Sequence, residues 1–177
     1  MKKPKPGSDA PISLNCAVLT VSDTRTTEDD SSGDLLAELL TQAGHRCVRR
    51  DIVRDDIYQI RRVLSDWIAD DGVQIILSNG ATGFSHADSV PEAALALFDR
   101  EIVGFGELFR RFSFTEVGAS TVQSRALAGY ANHTLIFCLP GSGNACHTAW
   151  QHILLEQLDS TTKPCNFATQ FVVKAGG

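Results

Sequence analysis

Ile75-Ile76-Leu77-Ser78-Asn79-Gly80-Ala81-Thr82-Gly83-Phe84-Ser85-His86-Ala87-Asp88-Ser89-Val90-Pro91-Glu92 is the stretch whose reading decides the fold. Residues 73–77 are an apolar run, read as a strand buried on both faces, and it breaks abruptly into small residues before a helix opens near Pro91. Strand, loop and helix in that order mark the place where α/β proteins bind ligands. Gly80, Ala81 and Gly83 let the backbone approach a ligand closely and expose its N–H groups, and Thr82 adds a hydroxyl, so the loop suits a phosphate. Asp88 follows near the helix start, and a carboxylate beside a phosphate implies a bridging cation.

Working outward, the same pattern repeats. Residues 16–21 are a continuous apolar run ending at Ser22-Asp23-Thr24. Ser31-Ser32-Gly33-Asp34 then reads as a helix start, with Leu35, Leu36, Leu39 and Leu40 on one face and Gly44 as the stop. Residues 47–53 form a second strand, mixed in polarity and therefore expected near a sheet edge. Asp55-Asp56 opens the next helix, whose buried stripe is Ile57, Ile60, Val63, Leu64, Trp67 and Ile68. The order β-α-β-α-β predicts a parallel sheet with right-handed crossovers and helices on both faces.

Downstream, residues 91–98 read as a short helix and residues 104–112 as another, with Phe105, Leu108, Phe109 and Phe112 stacked together. Residues 116–131 lack a clean period. Residues 126–131 are expected to be extended, turning at Asn132-His133 into a strand over 134–139, which adds one antiparallel strand. Pro140-Gly141-Ser142-Gly143 leads into a helix carrying Ala149, Trp150, Ile153, Leu154 and Leu158, a second strand-loop-helix junction whose N–H groups and Ser142 hydroxyl suit an anion.

With 177 residues the chain is expected to hold a single domain over 14–167, between a flexible N-terminal tail at 1–13 and a C-terminal tail at 168–177. A net charge of -5, with Lys2, Lys3 and Lys5 as the only basic cluster, argues against a nucleic-acid partner. The leader lacks the apolar segment of a signal peptide and no run approaches membrane-spanning length, so a cytoplasmic protein without a membrane partner is expected. Cys16, Cys47, Cys138, Cys146 and Cys165 show no C-x-x-C spacing and read as reduced, buried thiols.

Four features fall at the carboxyl ends of predicted strands: Ser22-Asp23, Asp55, the loop from Gly80 to Asp88, and Pro140 to Ser142. On an open α/β sheet these converge on one cleft with two phosphate cradles and two or three carboxylates. That combination suits nucleotidyl or phosphoryl transfer with Mg²⁺. Each piece also has a plainer reading: the small residues as turn chemistry, Asp55 and Asp88 as charges stabilising helix N-termini, Pro-Gly-Ser as a stop-and-start signal.

The order of the motifs discriminates further. Leu19-Thr-Val-Ser-Asp23, Asp30-Ser-Ser-Gly33, Asn79-Gly-Ala-Thr-Gly83 with Asp88, Pro91-Glu92-Ala93, Phe98-Asp-Arg-Glu101, Gly104-Phe-Gly-Glu107, Ser120-Thr-x-Gln-Ser-Arg125 and Leu139-Pro-Gly-Ser142 together resemble the molybdenum-cofactor biosynthesis family of MoaB and MogA. Pro164-Cys-Asn-Phe167 is similar to the MoaB branch in particular. The resemblance implies a three-layer α/β/α, molybdopterin-binding-type domain with a mostly parallel, mixed sheet, assembled as a homotrimer or homohexamer. The activity it implies is adenylylation of molybdopterin by ATP with Mg²⁺. It matches Asp55 and Asp88 to the family's functional acids and Mg²⁺ ligands. Gly80, Ala81, Thr82, Gly83, Pro140, Gly141 and Ser142 fall in its phosphate-binding loops, Ser22 and Asp23 at its first strand end, and Glu107 and Arg125 in recurrent motifs. The chain departs from the pattern at Asn79, Ala81, Ala87 and Val90, where the family usually has a small hydroxyl residue, glycine, arginine and threonine. A molybdopterin-binding protein of the same fold without catalysis is the competing expectation.

Overall fold

The computed structural model describes residues 10–172 of the chain. Residues 1–9 of the expected leader and 173–177 of the expected C-terminal tail lie outside the described residues. The strands are β1 (Asn15–Val21), β2 (Arg46–Val53), β3 (Ile75–Asn79), β4 (Arg100–Glu101), β5 (Leu127–Ala131) and β6 (Thr134–Leu139). The helices are α1 (Ser31–Gln42), α2 (Ile57–Ile68), α3 (Val90–Leu95), α4 (Val103–Val117), α5 (Gly143–Ala149) and α6 (Leu155–Gln157), with a π-helical turn, Trp150–Leu154, joining the last two.

The six strands form one sheet in the order β2-β1-β3-β6-β5-β4. β2, β1, β3 and β6 run parallel, and β5 is antiparallel to β6 and β4. Alternation along β1 sends Cys16 and Val18 to one core and Ala17, Leu19 and Val21 to the other. The first core is closed by α1, α4, α5 and the π-helical turn, through Leu36, Phe105, Phe109, Ala149 and Trp150; the second by α2 and α3, through Ile60, Trp67, Val90 and Ala93. The expected three-layer α/β/α architecture with a mixed sheet is the one observed. Among the described residues no helix is long and apolar enough to cross a membrane.

Most differences from the sequence reading lie at element ends. The α1 cap is Asp30 rather than a residue of the Ser31-Ser32 pair, and its carboxylate accepts from the Gly33 N–H. β3 begins at Ile75 and runs to Asn79 instead of ending at Leu77, because Ser78 and Asn79 pair with β6 through Cys138 and Leu139. The helix expected over 91–98 ends at Leu95, and the one expected over 104–112 extends from Val103 to Val117. Leu108 is 37% exposed and does not join the stack of Phe105 and Phe109; Phe112 stacks on His152 instead. Asn132 and His133, with φ of 44° and 66°, make the two-residue left-handed turn that a tight hairpin needs, which fixes β5 antiparallel to β6. Beyond Phe167, Ala168–Phe171 is a 3-10 turn with Ala168 buried.

Strand order positions the site. From β1 the chain moves outward to β2 and then returns to the other side of β1 as β3, so the loops after β1 and β3 leave in opposite directions and open a crevice between them.

Candidate functional site

Val21 ends β1 and Gly80 follows β3, and their backbones touch. A side chain at Gly80 would put its Cβ 2.2 Å from the Val21 carbonyl oxygen, and its φ of +96° is one that favours glycine. Ala81 is also left-handed, with φ 52°, so the position where alanine replaces the family's usual glycine is one that strains an alanine. Gly141 comes close on the other side, since a Cβ there would lie 3.1 Å from the Gly80 Cα. The two glycine-bearing loops are therefore adjacent, with the Gly80 N–H bonded to the Leu139 carbonyl at 3.0 Å.

The acids join this rim in a chain of hydrogen bonds. Asp23 accepts from the Asp55 N–H at 3.1 Å, and Asp55 accepts from the Ser89 N–H at 3.1 Å. Asp88 Oδ2 accepts from the Ser85 N–H and hydroxyl, each at 2.7 Å. Asp56, not Asp55, caps α2 by accepting from Tyr58 and Gln59, which leaves the Asp55 carboxylate for the crevice. Burial raises the Asp55 carboxyl above the usual carboxylate range; Ser89 donors oppose the shift, and the negative charges of Asp23 and Asp88 add to it. Burial also works to raise Asp88, but donation from Ser85 and Gly83 and the charge of Arg125 outweigh it, and Asp88 ends below the usual range.

Ser22 accepts from the Thr24 and Arg25 N–H groups and so holds the turn after β1. Thr82 is almost fully enclosed, at 2% exposure. The Ser142 hydroxyl caps α5 by accepting from Ala145 at 3.1 Å, and its own proton remains to donate. Pro140 precedes it and its carbonyl accepts from the Cys146 thiol. Glu107 lies exposed on α4, and among the described residues no hydrogen bond or ion pair ties it to the rim.

Arg125 joins the rim by its contacts with the loop after β3. Its Nε donates to the Gly83 carbonyl at 2.7 Å, one terminal nitrogen donates to the Asp88 carbonyl at 2.6 Å, the other pairs with Glu92, and its backbone N–H reaches the Thr82 carbonyl at 2.8 Å. All three guanidinium nitrogens are thus engaged in holding the loop from Thr82 to Asp88 and the start of α3.

A second polar group lies beneath the rim, built on Asp30 and Asn79, which in the sequence stood only as motif positions without an assigned role. Asp30, 1% exposed, accepts from Thr20 Oγ1 at 2.8 Å and pairs with Arg50 at 3.3 Å and Arg25 at 3.7 Å. Asn79, at the departure from the usual hydroxyl, donates to Thr20 Oγ1 at 2.9 Å and so links β3 to the α1 cap. Ser32 and Arg25 both donate to the Gly141 carbonyl, at 2.7 and 3.2 Å, tying the β1–α1 connection to the Pro-Gly-Ser loop. The usable signal was Asp30 placed directly before Ser-Ser-Gly, as a helix cap. Two clefts, of about 490 and 410 Å³, flank the end of β2; Arg25, Thr26, Asp30 and Arg50 line the first, Arg54, Asp56 and Arg62 the second. Neither is lined by Asp23, Asp88 or the loop from Gly80 to Gly83.

Among the described residues no group of three or more His, Cys, Asp or Glu is arranged to hold a metal ion. The donor set of the rim is narrower: two neighbouring carboxylates, Asp55 and Asp88, close enough that their charges repel. That set fits a cation that takes one or two protein carboxylates and completes its shell with water and phosphate oxygens, as Mg²⁺ does. The cysteines are free, with Cys16, Cys138 and Cys146 buried, Cys47 half-buried and Cys165 exposed, so burial holds for only part of the expected set. Burial pushes the Cys138 and Cys146 thiols up to about 12, which leaves them protonated and inert.

A family model described as a probable molybdopterin binding domain matches residues 17–160. Molybdenum cofactor biosynthesis protein B of Escherichia coli strain K12 is 54% identical over 156 residues, covering 88% of this chain and 92% of that one. The crystal structure of a molybdenum cofactor biosynthesis protein B superposes with a TM-score of 0.82 at 43% identity, over 84% of this chain and 93% of that one. The tungsten cofactor synthesizing protein MoaB from Pyrococcus furiosus gives 0.74 at 35% identity, over 83% and 94%. With the fold, the motif order and these likenesses in agreement, the chain belongs to the molybdenum-cofactor biosynthesis family of MoaB and MogA, and its body is the molybdopterin-binding domain of that family.

Proposed function

We propose that the chain binds molybdopterin at the rim of Asp23, Asp55, Asp88 and the two glycine-bearing loops, and adenylylates its terminal phosphate with ATP and Mg²⁺. The observation that supports this most is the meeting, at one end of one sheet, of carboxylates from three separate loops with two adjacent loops suited to phosphate. An oxygen of the pterin phosphate attacks the α-phosphorus of ATP; the new P–O bond forms as the bond to the β-phosphate oxygen breaks, and pyrophosphate leaves. The backbone N–H groups of Ala81 and Thr82 and the Ser142 hydroxyl hold phosphate oxygens and orient the two reactants, while the Gly80 N–H stays bonded to Leu139. Asp55 and Asp88 would hold Mg²⁺, which supplies positive charge to the phosphate oxygens when bound. Arg125 keeps the loop in shape. The protein would act in the cytoplasm as a homotrimer or homohexamer.

Binding without turnover is the second reading, and specific observations favour it. Ala81 sits strained at φ 52°, Asp88 is held by Ser85, and Ala87 contributes no charge where the family usually has arginine. Incubating the purified chain with molybdopterin, ATP and Mg²⁺ separates the two. Adenylated pterin and pyrophosphate are expected; pterin binding with no product would establish the second reading in place of the first.

A further inference from the structure

Phe84 is 78% exposed, yet the backbone on either side of it is fixed. The Gly83 carbonyl accepts from Arg125 Nε at 2.7 Å, and the Ser85 N–H donates to Asp88 Oδ2 at 2.7 Å. A phenyl ring left in water forgoes the burial that aromatic side chains ordinarily find, and here loop mobility does not explain it. Among the other exposed large apolar residues, Val103, Phe114 and Val117 on α4 and Val122 in the turn after it lie away from the phosphate-type loops in sequence, and the ring of Tyr58 on α2 is already met by Arg61, whose guanidinium carbon is 5.7 Å from its centroid. Phe84 instead follows directly on Gly83 and is four residues from Asp88.

We propose that Phe84 is a stacking platform for a planar nitrogen heterocycle carried by the ligand whose phosphate the rim holds. The inference rests on the phosphate-binding reading of that rim. Pterin and adenine share the required chemistry, a flat π-face joined to phosphate by a flexible linker, and a clamped aromatic beside a phosphate loop engages both ends of such a molecule at once.

The test measures binding of three probes to the full chain by titration calorimetry: molybdopterin, ATP and pyrophosphate, the last having no ring. Phe84→Ala is expected to weaken one ring-bearing probe by about tenfold and to leave pyrophosphate unchanged, while Phe84→Trp retains the wild-type affinity. Trp67 and Trp150 are buried, so the emission added by Phe84→Trp should be quenched by the same probe. A loss confined to molybdopterin assigns the pterin, and one confined to ATP assigns the adenine. If the wild type binds the ring-bearing probes and Phe84→Ala binds them equally well, stacking is overturned and the rim reading stands. A loss that extends to pyrophosphate, or a changed sedimentation coefficient, makes Phe84 a loop or subunit contact and overturns the proposal. Failure of the wild type to bind any probe overturns both.

Discussion

At residue scale, Gly80 and Ala81 are consecutive left-handed positions with different tolerances. Gly80→Ala drives a Cβ into the Val21 carbonyl of a central strand that cannot yield, so it should cost about 3 kcal/mol or more in urea unfolding. Ala81→Gly relieves about 1–2 kcal/mol of backbone strain, but it removes a methyl packed on the second core and adds unfolded-state entropy, each worth up to about 1 kcal/mol. The two sides nearly cancel. Stability within about 1 kcal/mol of wild type is expected, with adenylylation equal or raised; a severe loss of either would show that the methyl is required.

The acids make an opposed pair with a sign that pH can check. Asp55 titrates above its ordinary value of 3.8 in the folded state, so protonation favours folding and that advantage is lost as pH rises through the raised value. Asp88 titrates below 3.8, so its contribution is present above that value and lost as pH falls through the lowered one. Asp55→Asn should therefore raise the melting temperature at neutral pH and Asp88→Asn should lower it, each by no more than about 3 °C because both groups are partly exposed. Both differences should vanish in acid. Shifts of the same sign for the two variants would contradict this assignment.

At the scale of elements, Arg125 ties the β3–α3 loop to the chain entering β5. Arg125→Lys keeps the charge but cannot reach the Gly83 and Asp88 carbonyls and Glu92 together, because an ammonium lacks the planar fork. Faster amide exchange across 82–88, a stability loss of about 1–3 kcal/mol and weaker phosphate binding are expected. Unchanged exchange would remove Arg125 from the positioning role. This arrangement also shows where the sequence was readable. Apolar runs breaking into small residues announced β1, β3 and β6 and put Asp23, Asp88 and Ser142 at one sheet end, and the mixed strand β2 put Asp55 there too, because strand period and turn chemistry are local. The Arg125 clamp and the Asp30, Thr20 and Asn79 network join residues at sequence separations from 10 to 59, and no local pattern encodes such contacts. β4, a pair of residues set against Gly129 and Tyr130, is too short to carry a period. The π-helical turn at Trp150–Leu154 has an apolar pattern that also suits an ordinary helix, so it went unseen.

For the whole molecule, the far end of α4 carries exposed apolar residues on the side away from the core. Phe105 and Phe109 point into the first core, whereas Val103, Phe114 and Val117 are 56%, 59% and 50% exposed and share one side of the helix by their spacing. Val122, 81% exposed, follows in the adjoining 3-10 turn. Glu107 and Arg110 lie between Val103 and Phe114 on that side, so the apolar patch is Phe114, Val117 and Val122, and on a chain of net charge -5 it marks a contact surface, since charge elsewhere already serves solubility. A second copy of the chain is the occupant consistent with the proposed trimer or hexamer. Sedimentation should show wild-type protein above the monomer mass, and Phe114→Glu should shift it toward monomer. Molybdopterin binding should survive in that variant if the rim is complete within one chain, because the hydrogen bonds from Asp23 through Asp55 to Ser89 and from Arg125 to the loop are all intrachain. Monomeric wild-type protein would sink the assembly reading. Loss of pterin binding on dissociation, with the fold intact by circular dichroism, would mean instead that a neighbouring copy supplies part of the site.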